Sequence, residues 1–321
     1  MGTPWYTTRE RVTEALDSRD SARNNKKVDR ACRSATESVD TLCGRYFWPH
    51  VGTFYFDWPS QASPSLYRLW VPDLISLTSL TSGGVTISAS DYFLYPSNAP
   101  ARGEPYRWIE IDRSNLGTFE AGDTAQRNIA VTGTWGYPGS TEPAGTLAAA
   151  IVDTTSTEVA VSDSAAIGIG DLIKVDTEYM IVTSKSLLTT GQTVQVAMTA
   201  TASGTTCAVT DGTVFVEGET IAVDSERMLV EDIAGNSLIV RRAYDGSTLA
   251  AHDGSTIYVP RTLTVERGAC GSTAATHLLT ATVSRYLVPG PVATLATAEA
   301  LNILISDSSG WARNPGEGVS S

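Results

Sequence analysis

Two copies of Val-Asp-x-Glu, at Asp176/Glu178 and Asp224/Glu226, are the residues best placed for metal or acid–base chemistry. Carboxylates two residues apart fall on one face of a strand and offer the hard oxygen ligands that Ca²⁺ takes. A plainer reading competes with this. Apolar residues flank each Asp-x-Glu on both sides, as in a hairpin whose turn needs polar residues, and no third or fourth oxygen ligand stands nearby. The turn reading is preferred. His252 and His277 each lie four residues beyond a Gly-Ser-Thr, so a duplicated His sits in a duplicated turn. That argues for a hydrogen-bonding role rather than half of a catalytic pair. His50 stands isolated beside Pro49. With no Ser/His/Asp arrangement, P-loop, dinucleotide fingerprint or zincin motif, the expectation is a protein without catalysis, metal or cofactor.

These residues belong to a larger repeat. GDLIKVDTEYMIV (170–182) and GETIAVDSERMLV (218–230) share seven of 13 positions at an offset of 48. LIVRRAYDGSTLAAH (238–252) and LTVERGACGSTAATH (263–277) share eight of 15 at an offset of 25. The order is front, front, back, back, and residues 183–217 hold no Arg and no His. A tandem duplication would alternate. Nesting accounts for the order: an outer module near 157–187 is interrupted by a complete copy near 189–261 and resumes over 262–288. Repeats mark modular architecture, and an inserted domain is tolerated where its ends lie close together.

The 321 residues suffice for two or three domains. Charged residues make up 18% and the net charge is −12; residues 146–287, with 16 acidic and eight basic side chains, carry −8 of it. So acidic a chain is a poor general nucleic-acid binder, because neutralising phosphates takes clustered Lys and Arg. It could still line a channel for DNA, where repulsion prevents sticking. Cys32, Cys43, Cys207 and Cys270 show no CxxC spacing and read as buried thiols rather than disulfide or metal ligands. MGTPWYTTRERV lacks an apolar leader core, and no apolar run reaches a membrane span, which reads as a protein of a reducing cytoplasm.

The elements that hold the repeat follow from periodicity. Thr7 and Glu10 resemble a capping box opening a short helix to about Asp17. A second helix, from near Asp20, carries Val28, Cys32, Ala35, Val39 and Leu42 on one stripe and ends at Gly44. Period-two alternation over 51–137 predicts strands at 54–58, 66–71, 75–80, 85–87, 92–95, 106–111 and 128–135. Gly136 to Gly145 reads as a linker. After Pro289-Gly290-Pro291, Val292, Leu295, Leu301 and Ile305 predict a last amphipathic helix, and Ser306 to Ser321 a polar, mobile tail. The fold class is therefore α+β: a small helical bundle with an antiparallel β-meander (1–145), an inserted all-β region of two nested modules (146–288), and a returning helix with its tail (289–321).

Candidate assembly contacts follow. Aromatics crowd 46–58; most belong to the sheet core, but Tyr55 must face the other way, and exposed aromatics favour an interface. Trp311 is isolated in a polar tail, as anchors for a neighbour's pocket often are. The helical start holds nine Lys/Arg against seven Asp/Glu, with Arg23, Lys26, Lys27 and Arg30 among them; a solvated or subunit-facing surface is preferred to a nucleic-acid patch.

A short helix, a long helix ending in Leu42-Cys43-Gly44-Arg45-Tyr46-Phe47-Trp48-Pro49, a sheet closing on Thr-Gly-Thr-Trp-Gly-Tyr (132–137) and a last helix together resemble the head–tail connector (adaptor) proteins of long-tailed bacteriophages. The resemblance covers about 1–137 and 289–310, and β-modules like those of the insert, with an RGxxGTTAAxH-like turn, resemble decoration seen in phage structural proteins. It implies a homo-oligomeric ring, commonly of twelve subunits, in the virion at the head–tail junction. The ring would dock on the portal protein, let genomic DNA pass through its lumen, and offer a platform to the next head-completion or tail-terminator protein. The insert departs from the minimal family pattern. The rival expectation is a carbohydrate- or host-surface-binding β-protein of a phage tail, which would use repeat tips and exposed aromatics.

Overall fold

Residues 2–16, 25–58, 66–115, 117–120 and 122–309 are described by a computed structural model. Among them are four helices and two antiparallel sheets, an α+β arrangement. Helix α1 (Arg9–Ala15) is capped by Thr8, not Thr7: the Thr8 hydroxyl accepts the Arg11 amide at 3.2 Å. Thr7 is buried instead and bonds the Thr297 hydroxyl at 2.8 Å. Glu10 does not turn back to a cap; it accepts the Ile169 amide at 2.8 Å and so ties α1 to the insert. In α2 (Asn25–Cys43), Val28, Cys32, Ala35 and Val39 are buried as their stripe predicts. The stripe outlasts the packing, leaving Leu42 (76%) and Cys43 exposed on the last turn. The expected start near Asp20 lies outside the described residues.

The first sheet comprises β1 (His50–Phe56), β2 (Arg68–Ser82), β3 (Val85–Ile87), β4 (Tyr92–Tyr95), β5 (Tyr106–Ile111) and β6 (Ile129–Trp135), with one helical turn, α3 (Ala99–Arg102), between β4 and β5. Its order is β1-β6-β2-β5-β4, with β3 on β2, so it is antiparallel but no meander. The cause is β2, one strand where alternation predicts two. Pro72 lacks an N–H and falls in the register shift between Trp70 and Leu74. Ahead of that bend β2 pairs with β5 alone; from Leu74, which still meets Tyr106 of β5, it pairs with β6. One face buries Leu69, Leu74, Leu80, Ile109, Val131 and Trp135 in a single core.

The second sheet begins where a linker is expected. β7 (Ser140–Thr146) pairs with β16 (Thr282–Leu287) and puts Ala144 into a core. Its Pro143 reads as a breaker, yet β7 is an edge strand, where a missing N–H leaves no neighbour unpaired. Between them come β8 (Glu158–Ala160), β9 (Leu172–Val175), β10 (Glu178–Thr193), β11 (Thr206–Ala208), β12 (Thr220–Val223), β13 (Glu226–Ala234), β14 (Ser237–Arg241) and β15 (Thr256–Glu266). Two separate cores share this sheet. One holds Ile173, Val175, Met180, Val182, Leu263 and Val265; the other holds Ile221, Val223, Met228, Val230, Leu238 and Val240. β10 and β15 form a ribbon between them: Val182 pairs with Val265 beside the first core, and Leu188 with Val259 toward the second.

Helix α4 (Gly290–Ser309) returns the chain to the helices. Its buried side is Val292, Ala293, Ala296 and Ala300, while Leu295 and Ile305, expected on the stripe, are exposed. Small residues win because Ala300 packs with Ala31, Cys32 and Ala35 of α2, a contact that bulky side chains would hold apart. The tail beyond 309 lies outside the described residues. No described helix is long and apolar enough to cross a membrane.

Candidate functional site

The repeated Asp-x-Glu does form hairpin turns, but the two carboxylates have different fates. Asp176 and Asp224 take left-handed backbone (φ 51° and 54°), a conformation that Asp tolerates better than most residues. Glu178 and Glu226 are completely buried. Glu178 receives Arg267 Nε and Nη2 at 2.7 and 2.8 Å, the Gly268 and Ala275 amides at 2.9 Å each, and lies 2.8 Å from His277 Nε2. Glu226 repeats this with Arg242 (2.8 and 2.8 Å), the Ala243 and Ala250 amides (2.9 and 3.0 Å) and His252 (2.9 Å). Each His closes its cluster through Nδ1, 2.7 Å from Asp176 or 2.8 Å from Asp224.

Five donors on one carboxylate leave its lone pairs no room for a cation. Burial pushes both glutamates up, but the Arg fork, His and two amides outweigh it and bring each down to about 2. Their chemistry is to fasten backbone, and no group of three or more His, Cys, Asp or Glu among the described residues could hold a metal. The matching Ser272 and Ser247 hydroxyls likewise accept the Tyr179 and Arg227 amides at 2.9 Å.

A further pair of equivalent sites escapes sequence comparison. Glu219 takes both fork donors of Arg261 (2.8 and 2.7 Å), whose Nη2 also donates to the Val214 carbonyl. Forty-eight residues earlier, Asp171 faces Arg285, which donates to the Ala166 carbonyl. Asp is one methylene shorter than Glu. Arg285 Nη1 stays 3.6 Å from Asp171, and Arg285 Nε is buried without a partner. Burial pushes the Asp171 carboxyl up to about 6, only partly countered by Arg285 and the Gly168 amide.

The two motifs 90 residues apart that carry the family resemblance meet in space. The Tyr137 amide donates to the Tyr46 carbonyl at 2.9 Å, Phe47 and Tyr137 have ring centroids 5.5 Å apart, and the Arg45 guanidinium lies 5.3 Å from the Tyr137 ring centroid. Gly136 (φ +113°) sits against the Trp48 carbonyl, and Gly133 against that of Ser76; a Cβ at either would lie 2.2 Å from that oxygen. Only glycine fits there. Tyr6 stacks on Trp48 at 5.2 Å and donates to Asp40, which locks the N-terminal segment to the same junction.

Of the candidate contacts, Tyr55 is exposed (52%), with the Arg127 guanidinium 4.8 Å from its ring centroid. Lys26, Lys27 and Arg30 stand on the exposed side of α2; Arg23 and Trp311 lie outside the described residues. The sequence reading missed an aromatic ladder on the first sheet. Trp70, Trp108 and Tyr95 align across β2, β5 and β4, at 5.0 and 5.5 Å, with Arg68 over both indoles and paired to Glu110 at 2.8 Å. Alternation around Leu69/Val71 and Ile109/Ile111 held the signal: the residues between must face outward. All four cysteines are free, and burial raises the Cys32, Cys207 and Cys270 thiols to about 12, 11 and 12, unsuited to nucleophilic attack. A cleft of about 1260 Å³ between the N-terminal segment and both modules is lined by Glu10, Lys185, Arg227, Asp245 and Arg285, which engage one another or neighbouring carboxylates as ion pairs.

No protein-family model, curated protein or solved structure matches the chain.

Proposed function

We propose that this chain is a non-catalytic structural protein of a long-tailed phage, a head–tail connector that forms a ring beneath the portal. The observation that carries this reading is the meeting of residues 44–49 with 133–137. The two segments on which the resemblance rests form one packed junction, which supports reading them as parts of one structural unit. The helices around it support the same reading: α1, α2 and α4, from opposite ends of the chain, pack together at Val12, Cys32, Ala35 and Ala300. The nested modules hang from this frame. A ring, commonly of twelve, would extend the DNA channel and support the next head-completion or tail-terminator protein.

In such a ring the net charge of −12 per subunit is multiplied by the copy number. An acidic wall repels DNA evenly and lets it slide, whereas a basic wall would pin it through counterion release. Negative-stain images of the purified protein test the reading: closed rings are expected, and a monodisperse monomer at high concentration would overturn it. Those rings should not retain duplex DNA at physiological salt. Tight, salt-sensitive retention would redirect attention to Arg23, Lys26, Lys27 and Arg30.

One observation favours the second reading, a glycan-binding tail protein. The Trp70–Trp108–Tyr95 ladder exposes Trp70, with Trp108 and Tyr95 half-buried behind it, although Arg68 already covers both indoles. Binding on a glycan array, abolished by Trp70→Ala, would favour it.

A further inference from the structure

The two sheets treat their edges differently. An edge strand exposes a row of unpaired N–H and C=O groups, and proteins blunt such rows with charge, proline, bulges or shortness. The second sheet follows this rule. β11 has three residues; β7 carries Glu142 and Pro143, and its pairing with β16 contains a register shift. The first sheet does not. β1 reads His-Val-Gly-Thr-Phe-Tyr-Phe with no Lys, Arg, Asp, Glu or Pro, and pairs with β6 over seven residues without a shift. β4, at the opposite end, reads Tyr-Phe-Leu-Tyr, equally uncharged.

The open lengths also match. The 3-10 turn Ala269–Gly271 packs over the start of β1, where Gly271 sits on the Val51 carbonyl, and the Gly52 carbonyl already accepts the Trp135 indole at 3.0 Å. Thr53 to Phe56 remain: four residues, the length of β4. We infer that β1 of one copy and β4 of the next pair edge to edge, so that the first sheet runs on from subunit to subunit. Another extended strand satisfies such a row of backbone donors and acceptors in register and in place of water. Two different edges on one chain make the contact heterologous, the kind that closes into a ring. A four-residue ladder falls well short of the roughly 1,200–2,000 Å² of a stable pair. A lone dimer therefore dissociates, while a closed ring, in which every copy makes two such contacts, persists.

This inference rests on the ring reading and names its contact. The test uses full-length Cys43→Ser protein carrying either Tyr55→Cys or Phe93→Cys; both side chains are half-exposed on these strands. Mild oxidation of an equimolar mixture should give a cross-linked heterodimer, and neither variant alone should give a homodimer. Amide exchange of the unmodified protein should slow at least tenfold at 53–56 and 92–95 on assembly. Rings whose 53–56 amides exchange as fast as in the monomer would overturn the edge contact and leave the ring standing. A Tyr55→Cys homodimer would replace it with a two-fold contact. Protein that stays monomeric at every concentration would overturn contact and ring together.

Discussion

Glu178 holds Arg267 at a sequence separation of 89, and inside that span Glu226 holds Arg242 at a separation of only 16. Fronts and backs of the repeat therefore pair first with last and second with third. The ribbon of β10 and β15 makes this possible, since Ser186 and Thr262 are cross-strand partners at the point where the chain enters and leaves the inner copy.

Deleting 189–261 and closing the ribbon with a short Gly linker should leave a protein that unfolds in one cooperative transition. The outer core of Ile173, Met180, Val182, Leu263 and Val265 draws nothing from the deleted segment. The melting temperature should fall modestly, because Ser164 loses its 2.8 Å bond to Glu219. A calorimetric scan without a transition would show that the outer module does not close alone.

Glu226→Ala should cost about 3–5 kcal/mol, because it strands Arg242, whose side chain is almost wholly buried. Replacing both partners, as Glu226→Met with Arg242→Met, should recover much of that loss, since apolar pairs of similar volume avoid the desolvation cost. Urea titration of the single and double variants separates the cases. An equal loss in both would mean that the His252 and amide contacts, not the ion pair, dominate.

Acid should act with opposite signs at different sites. Glu178 and Glu226 lie near 2 in the folded chain, against 4.5 when unperturbed, so their contribution is full above about 4.5 and disappears as pH falls toward 2. Asp171 is raised from 3.8 to about 6, so the folded state holds its proton more tightly and stability declines as pH rises from about 4 to 6. Stability against pH should therefore climb steeply from 2 to 4.5, then lose part of the gain. Asp171→Asn should shrink the decline, leaving the part due to Asp40, which burial also raises, and spare the acid limb. An unchanged profile in that variant would place the titration elsewhere.

How much of this was legible depended on whether residue identity or packing decided it. Asp176, Glu178 and His277 were readable as a structural turn because the repeat fixed their types and spacing. The buried depth of Glu178 was not, since Glu in a hairpin looks solvated until Arg267 arrives from the far side of the insert. The α2 stripe was readable in period; the α4 face was not, because close approach to α2 at Val39 and Ala35 favoured Ala296 and Ala300 over Leu295. β7 hid behind Pro143 and Gly145, tolerable only because the strand lies at an edge. The Asp171–Arg285 site was invisible, as Asp and Glu at matching positions count as a mismatch.

That mismatch yields the last prediction. Where the inner copy has Glu219, both carboxylate oxygens reach the Arg261 fork at 2.7–2.8 Å. Where the outer copy has Asp171, the nearest approach to Arg285 is 3.6 Å and Arg285 Nε lacks a partner. An added methylene should carry the carboxylate to that nitrogen, and a buried donor left unpaired costs about 1–3 kcal/mol. Asp171→Glu should therefore stabilise the protein by about 1 kcal/mol, after some loss of the Gly168 amide bond that Asp171 now accepts at 2.6 Å. The pH 4–6 decline should shrink with it, because a fully paired carboxylate no longer resists ionisation. Urea titrations at pH 5 and 7 read both effects. If the variant is less stable at both pH values, the extra methylene does not fit and the outer site is built for Asp.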